Sequence, residues 1–116
     1  YVIRTAGGSM KYSDFVISYA VAVGRVKAIA IIGHDDCGMC GLHNRKESYI
    51  SGLVNAGWDK DTAEQHFDSF APIFEIGNEK DFVVSEVKRI QGRYPKLGVF
   101  PLFYSVSDGM LSLLEM

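Results

Sequence analysis

The sequence predicts an α/β fold: a mostly parallel sheet flanked by helices, with a C-terminal hairpin strand. Three observations predict it. Residues 27–32, KAIAII, form a short continuous apolar run, which is typical of a strand covered by helices on both faces. Segments with helical apolar spacing precede and follow this run, so strands and helices alternate along the chain. Finally, Asp108-Gly109 separates two apolar stretches and indicates a hairpin turn.

The first third of the chain is predicted to form a strand, a helix and a second strand. Residues 1–4 form the first strand, and a Gly-rich turn follows it. The helix begins after Ser13, its predicted N-cap, and stops at Gly24. Its apolar residues fall at helical spacing: Phe15, Val16, Tyr19, Ala20 and Val23. Together with the strand over 27–32, these elements predict a right-handed βαβ unit.

The rest of the chain is predicted to be helical up to Pro95, with strands beyond it. After Gly33 the chain turns and enters a helix, and residues 46–74 form short helical pieces. Gly52, Gly57 and Pro72 punctuate these pieces. Asn78 is expected to cap a longer helix to Arg93, with Val83, Val87 and Ile90 inward and Lys80, Glu86 and Lys88 outward. A strand within 97–106 follows, where Pro101 predicts an edge or bulged position, and residues 110–114 form the last strand.

Length, charge and cysteine content narrow the class of protein. The chain of 116 residues suits one α/β domain over 1–116. A net charge of −2 gives no indication of a nucleic-acid or membrane surface. Two cysteines three positions apart do not form a secreted disulfide framework, so a cytoplasmic location is expected. Because the chain opens on an apolar segment without an initiator Met, we expect it to be a fragment of a longer chain.

Both cysteines, one of the three histidines and two aspartates lie within the segment GHDDCGMC, residues 33–40. It directly follows the predicted inner strand, at the end of a parallel sheet where sites are usually built. His34 and Cys37 have the spacing H-x-x-C, which lets a tight turn point an imidazole and a thiolate at one zinc ion. Gly38 would let the backbone approach the metal or a substrate. Zinc needs three or four protein ligands, so these two do not complete a site.

Other interpretations of the same residues stay open. Cys37 and Cys40 form C-x-x-C, which fits a redox dithiol whose first thiol lies at a helix N-terminus. A solvated turn with one buried thiol is also consistent with the pattern, and Cys40 is expected to be a packed thiol. Asp35 and Asp36 would orient His34 or cap the following helix, and capping is the prediction for Asp36.

Histidines and glycines elsewhere in the chain give weaker indications of a functional role. His43 and His66 are expected to be surface or satisfied residues, with a proton shuttle as the alternative for His43. Gly7 and Gly8 would either let backbone approach a pocket or only permit a turn.

Two motifs together resemble the β-class carbonic anhydrases. VIRTAGGS at residues 2–9 is similar to the family's strand ending in I-R-N-A-G, and IIGHDDCGM at 31–39 is similar to its strand ending in G-H-x-x-C-G. The segment over 82–115 resembles the family's final helix, strand and D-G hairpin. The middle of the chain is poorly matched.

The resemblance implies a zinc ion at the edge of a parallel α/β sheet, bound by one His and two Cys. His34 and Cys37 match two of these ligands. The remaining ligand belongs to a C-x-D-x-R motif on the preceding strand, which this sequence lacks together with its Asp and Arg. The catalytic residues are therefore expected upstream of the chain. The resemblance supports the interpretation of this sequence as a fragment.

The implied activity is the reversible hydration of carbon dioxide to bicarbonate by a zinc-bound hydroxide. Some relatives act on carbonyl sulfide or carbon disulfide, and nothing in the sequence separates these substrates. Family members form dimers or larger even assemblies, so a homodimer or tetramer is expected. The alternatives are a non-catalytic relative acting in assembly or binding, and a C-x-x-C redox protein. The redox alternative lacks the aromatic residue before the first Cys and the cis-Pro loop of thioredoxin-like proteins.

Overall fold

A computed structural model describes all of residues 1–116, with four α-helices and a three-stranded sheet. The elements run in the order α1 Asp14–Ala22, β1 Ala28–His34, α2 Lys46–Asn55, α3 Lys60–Phe74, α4 Glu79–Arg93, β2 Gly98–Tyr104 and β3 Leu111–Leu113. Short 3-10 turns lie at Ala6–Gly8, Lys11–Ser13 and Leu42–Arg45. The sheet order is β1-β2-β3, with β1 parallel to β2 and β3 antiparallel to it. The predicted α/β fold with a C-terminal hairpin is confirmed.

The longest helix of the second half, α4, forms the centre of the core. Its N-cap is Asn78, whose side chain accepts a hydrogen bond from Asp81 N at 3.0 Å, and it ends at Arg93, two residues before Pro95. Both boundaries agree with the sequence prediction. One face of α4 is fully buried against β1, β2 and α1; the residues of this cluster are Ile17, Ile31, Val83, Val87, Ile90 and Val99. No helix of the chain combines the length and apolar composition needed to cross a bilayer.

The predicted first strand, over residues 1–4, is not present. This segment carries no sheet pairing, and Thr5 has extended backbone angles. An extended segment becomes a strand only through hydrogen bonds to a neighbour, and β1 pairs with β2 alone. The predicted βαβ unit through α1 is therefore wrong as well. The parallel connection is instead the one from β1 to β2, which passes through α2, α3 and α4.

Strand β1 is buried on one face only, which corrects the prediction of a strand covered on both. Ile31 is 3% exposed, whereas its neighbour Ile32 is 49% exposed. Side chains alternate between the two faces of a strand, and α4 packs on the face that carries Ile31. No helix covers the face that carries Ile32, so half of the strand stays exposed.

Two prolines differ from their predicted roles. Pro101 lies in β2, the central strand, where its carbonyl accepts a hydrogen bond from Leu114 N at 2.9 Å, one residue past β3. Pro101 has no N–H to return a bond to Leu114 O, so the ladder to β3 ends at this pair and only one terminal bond is missing. Pro72 lies inside the last turns of α3 and does not interrupt it. Residues 46–74 accordingly form two continuous helices, with Gly57 in the turn between them.

Candidate metal centre at the end of β1

His34 is the last residue of β1, and its ring is oriented by the next residue. Its Nδ1 lies 2.7 Å from the backbone oxygen of Asp35. A carbonyl oxygen only accepts hydrogen bonds, so Nδ1 is the protonated nitrogen that donates. Nε2 is then free as an acceptor or a metal ligand. Metal-binding histidines are commonly held by such a bond to their second nitrogen.

Cys37 lies three residues later, at the start of a tight turn closed by Cys40 N donating to Cys37 O at 3.1 Å. Its thiol is free and buried, with 7% of the residue exposed. Asp36 has a left-handed backbone, φ 52°, which brings the chain round between the two residues. The sequence motif thus places His34 and Cys37 on either side of one turn.

The helix predicted directly after Cys37 is absent. The first helical residues are the 3-10 turn at Leu42, and α2 begins at Lys46. Asp36 therefore caps no helix, contrary to the prediction. Its carboxylate makes no hydrogen bond with any side chain or backbone group. The helix N-terminus expected at Cys37 is missing too. A Gly-rich turn with left-handed Asp36 and Gly41 replaces helical geometry here.

Asp35 ties the end of β1 to the β2–β3 turn. Its Oδ1 accepts a hydrogen bond from Val106 N at 2.7 Å, and its own N–H donates to Tyr104 O at 3.4 Å. Its carbonyl, and not its carboxylate, orients His34. Sequence reasoning missed this arrangement, because Val106 lies 71 positions away and nothing local points to it.

The Gly-rich segment of VIRTAGGS borders the same turn. Gly7 has φ 66°, and a Cβ placed on it would lie 3.4 Å from Met39 Cβ and from Ile76 Cγ2. Gly8 has φ 76°, and its Cβ would lie 3.3 Å from the backbone oxygen of Ile32. The backbone of this loop therefore lies against residues that flank both Cys37 and His34. A Cβ on Gly38 would meet nothing within 4 Å, so that side of the turn is open.

Cys40 lies in a different environment from Cys37. It is half-buried, forms an isolated parallel bridge with Ile76, and its thiol is free. Burial raises the pKa of the Cys40 thiol, and the charge of Glu79 raises that pKa further. A raised pKa keeps this sulfur protonated, which favours a packed thiol over a reactive dithiol.

The remaining histidines lie away from His34. His43 contacts Glu75 twice. Its backbone N–H donates a hydrogen bond to Glu75 Oε1 at 2.5 Å, and its ring Nδ1 lies 2.6 Å from the same oxygen. These bonds lower the pKa of the Glu75 carboxyl. His66 packs between aromatic rings, with ring centroids 5.4 Å from Trp58 and 4.8 Å from Phe70. Both histidines are exposed, in agreement with the prediction of surface or satisfied residues.

No three His, Cys, Asp or Glu side chains are grouped closely enough to hold a metal ion. His34 and Cys37 are therefore two donors at one strand end, without a third from this chain. Their residue types and the orientation of His34 fit zinc, which takes imidazole nitrogen and thiolate sulfur.

The chain matches the family model described as carbonic anhydrase over residues 1–111. It belongs to the carbonic anhydrase family. This match spans the Gly-rich loop, the turn with His34 and Cys37, and the C-terminal hairpin, so the resemblance stated from the motifs is confirmed. The match also includes α2 and α3, the region in which the sequence resemblance was weakest.

Solved structures of carbonic anhydrases share the fold. A β-carbonic anhydrase from Trichomonas vaginalis superposes with a TM-score of 0.75 at 21% identity, over 97% of this chain and 65% of its own. A carbonic anhydrase from Glaciozyma antarctica gives 0.64 at 25% identity, over 96% and 64%. The chain thus spans slightly less than two thirds of the length of these relatives. No curated protein matches the chain.

Proposed function

We propose that this carbonic anhydrase relative forms part of a zinc enzyme that reversibly hydrates carbon dioxide to bicarbonate. The observation that carries the proposal is the family match across His34 and Cys37, at the carboxyl end of β1. The free Nε2 of His34 and the buried thiol of Cys37 are the proposed zinc ligands. When bound, zinc supplies a hydroxide nucleophile at neutral pH.

The chain's own residues then have separate tasks. Asp35 holds the His34 ring through its carbonyl and anchors the strand end through its carboxylate. Gly7 and Gly8 line the site with backbone, and the open side of Gly38 leaves room for a small substrate. Asp36 contributes through its left-handed backbone, which brings the chain round between His34 and Cys37. An uncharged substrate such as carbon dioxide suits surroundings that are largely apolar.

The third ligand is proposed to come from a Cys-x-Asp-x-Arg segment outside residues 1–116. A groove beside His34 supports this. It lies among residues 1–5, α1 and β1, is lined mostly by apolar side chains, and has a volume of about 720 Å³. A water molecule occupies roughly 30 Å³ in the liquid. The groove is therefore much larger than a small substrate needs, and a further strand would satisfy the open edge.

The two cysteines provide the experiment. In the longest natural form of the protein, Cys37→Ser is expected to lose most bound zinc and carbon dioxide hydration, because a hydroxyl is a poor substitute for a thiolate ligand. Cys40→Ser is the matched control and should keep both. Metal analysis and stopped-flow hydration measure the two outcomes. Full zinc retention in Cys37→Ser would rule out Cys37 as a ligand.

A non-catalytic relative, acting in assembly or binding, is the second candidate. The observation that favours it is the incomplete donor set within the chain. The natural sequence upstream of Tyr1 separates the two candidates, since the enzyme requires a Cys-x-Asp-x-Arg segment there. If that segment is present and the purified protein binds no zinc, the non-catalytic candidate is favoured.

We also propose a cytoplasmic homodimer or tetramer. Large apolar side chains are exposed on α1 and on the uncovered face of the sheet, and surfaces of this kind commonly mark interfaces. The two free thiols suit a reducing compartment. Analytical ultracentrifugation of the natural protein tests the assembly, and a monomer at micromolar concentration would contradict it.

A further inference from the structure

Glu86 on α4 is the only charged residue in the core. It is 3% exposed, beside Val87 and one turn after Val83, both fully buried. The sequence prediction that Glu86 points outward is therefore wrong. A buried carboxylate is strongly unfavourable unless it is paired and hydrogen-bonded, so its partners show what its position achieves.

The Glu86 carboxylate has two partners. Arg89 donates from Nε to Oε1 at 3.0 Å and from its terminal nitrogen to Oε2 at 3.3 Å. These bonds raise the pKa of the Arg89 guanidinium. The second partner is the backbone N–H of Met10, which donates to Oε2 at 2.7 Å across 76 positions of sequence. One partner neutralises the charge, and the other anchors a distant loop.

That loop is the Gly-rich border of the candidate metal centre. Met10 follows the 3-10 turn Ala6–Gly8 by two residues. Gly7 and Gly8 lie against Met39, Ile76 and the Ile32 carbonyl. Both glycines have positive φ and no side chains, so main-chain hydrogen bonds and the anchoring of neighbouring residues hold their backbone in place. Fixing the amide of Met10 therefore fixes one end of this segment.

We propose that Glu86 is a positioning residue for the candidate metal centre. Its carboxylate holds the Met10 amide and so keeps the backbone of Gly7 and Gly8 against the residues that flank His34 and Cys37. The link to zinc rests on the proposed function, whereas the anchoring itself does not. Glu86 contacts neither proposed ligand and acts only through the loop.

Hydrogen exchange in the longest natural form of the protein tests the anchor without metal or substrate. The reporters are the amides of Gly8 and Ser9, which donate to Thr5 O and Ala6 O at 3.5 and 3.3 Å. Glu86→Gln keeps an acceptor but removes the charge. It should speed exchange of both amides about fivefold, since charge-assisted hydrogen bonds are roughly twice as strong as neutral ones. Core amides of α4 should change much less. Glu47→Gln, an exposed carboxylate on α2, is the matched control.

Met10→Pro removes the donor, and it also removes a side chain that packs against the core and moves the φ of residue 10 from −100° toward about −65°. Met10→Ala, which keeps the amide, is the control for the lost side chain. Ser9 already has the extended backbone, ψ 133°, that a following proline requires. Met10→Pro should speed exchange at Gly8 and Ser9 about as much as Glu86→Gln. Adding Glu86→Gln to it should give no further increase, because the bond is already lost. Fully additive effects would overturn the anchor, and so would wild-type exchange in a folded Glu86→Gln protein.

Zinc release to a chelator then tests the link to the site. Glu86→Gln should release zinc several-fold faster than wild type, with Glu47→Gln unchanged. Faster loop exchange with an unchanged rate of zinc release would overturn the positioning role. If no form of the protein binds zinc, the proposed function fails and the role toward the metal fails with it. The exchange data would still show separately whether the anchor exists.

Discussion

The two faces of the sheet differ sharply in what covers them. On one face, α4 buries Ile31, Val99 and Phe103. On the other, no helix packs, and the exposed side chains are largely apolar: Ile32, Phe100, Tyr104, Leu111 and Leu113. By strand alternation His34 belongs to this uncovered face. Packing that stabilises this chain is therefore concentrated on one side, and the candidate metal centre opens on the other.

Because of this difference, one strand carries both residues that stabilise the fold and residues of the candidate metal centre. Ile31 and His34 are three residues apart in β1, yet one contributes to the core and the other to the site. Substitutions on the covered face are expected to lower the free energy of unfolding. Substitutions on the uncovered face and at its carboxyl end are expected to alter metal binding or association, with smaller effects on unfolding.

The sharpest test of the comparison uses two adjacent isoleucines of β1. Ile31→Ala should lower the free energy of unfolding by about 2–5 kcal/mol, because it leaves a cavity against α4. Ile32→Ala is the matched control on the uncovered face and should cost less than about 1 kcal/mol. Urea denaturation of both variants measures the difference. Equal losses would mean that something covers the second face in solution.

Local signals and long-range contacts differ in how well the sequence predicts them. The cap at Asn78 and the apolar spacing of α4 are local signals, and both were predicted correctly. Glu86 was misassigned because its burial depends on the Met10 amide, 76 positions away. Residues 1–4 have the composition of a strand, but a strand also needs a hydrogen-bonding neighbour, which composition does not reveal.

The candidate site shows the same division. His34 and Cys37 were found from their spacing and motif. The helix expected after Cys37 was not formed, because Asp36 and Gly41 adopt left-handed backbone in its place. The tie between Asp35 and Val106 spans 71 positions and has no local signal. Short-range patterns therefore identified the residues, while long-range hydrogen bonds determine their orientation.

The second prediction concerns zinc binding by residues 1–116. Residues 1–116 alone should bind zinc weakly and hydrate carbon dioxide poorly, because His34 and Cys37 are only two ligands. Loss of an outer hydrogen-bonding partner already costs about 10–100-fold in metal affinity. Loss of a thiolate ligand should cost at least roughly as much as that. Zinc titration and stopped-flow hydration check this, and one tightly held zinc per chain with rapid hydration would contradict it.

The third prediction concerns the hydrogen bond between Asp35 and Val106, which holds the carboxyl end of β1. Asp35→Ala removes the acceptor of Val106 N and should lower the free energy of unfolding by about 0.5–1.5 kcal/mol. Exchange of the Val106 amide should become faster. Asp35→Asn keeps the Oδ1 acceptor and is the control, with a smaller change in both measurements. If Asp35→Ala leaves Val106 exchange unchanged, the hydrogen bond does not form in solution.

The smallest expected effect concerns the contact between Glu75 and His43, at the end of α3. Hydrogen bonds from His43 hold the pKa of the Glu75 carboxyl below its ordinary value of 4.5. A carboxyl with a lowered folded pKa contributes stability above its unfolded pKa, and this contribution is lost as pH falls through the folded pKa. Glu75→Gln should therefore be slightly less stable than wild type at neutral pH.

The difference between Glu75→Gln and wild type should shrink as pH falls below 4.5, since protonation removes the charge that the substitution has already removed. Urea denaturation across this pH range measures it. Glu47→Gln, on an exposed carboxylate without a hydrogen bond or salt bridge, should show no such pH-dependent difference. A difference between Glu75→Gln and wild type that stays constant with pH would show that the His43 contact does not stabilise the Glu75 carboxylate. Because the His43 side chain is largely exposed, this contact should remain weaker than any contribution from the covered face.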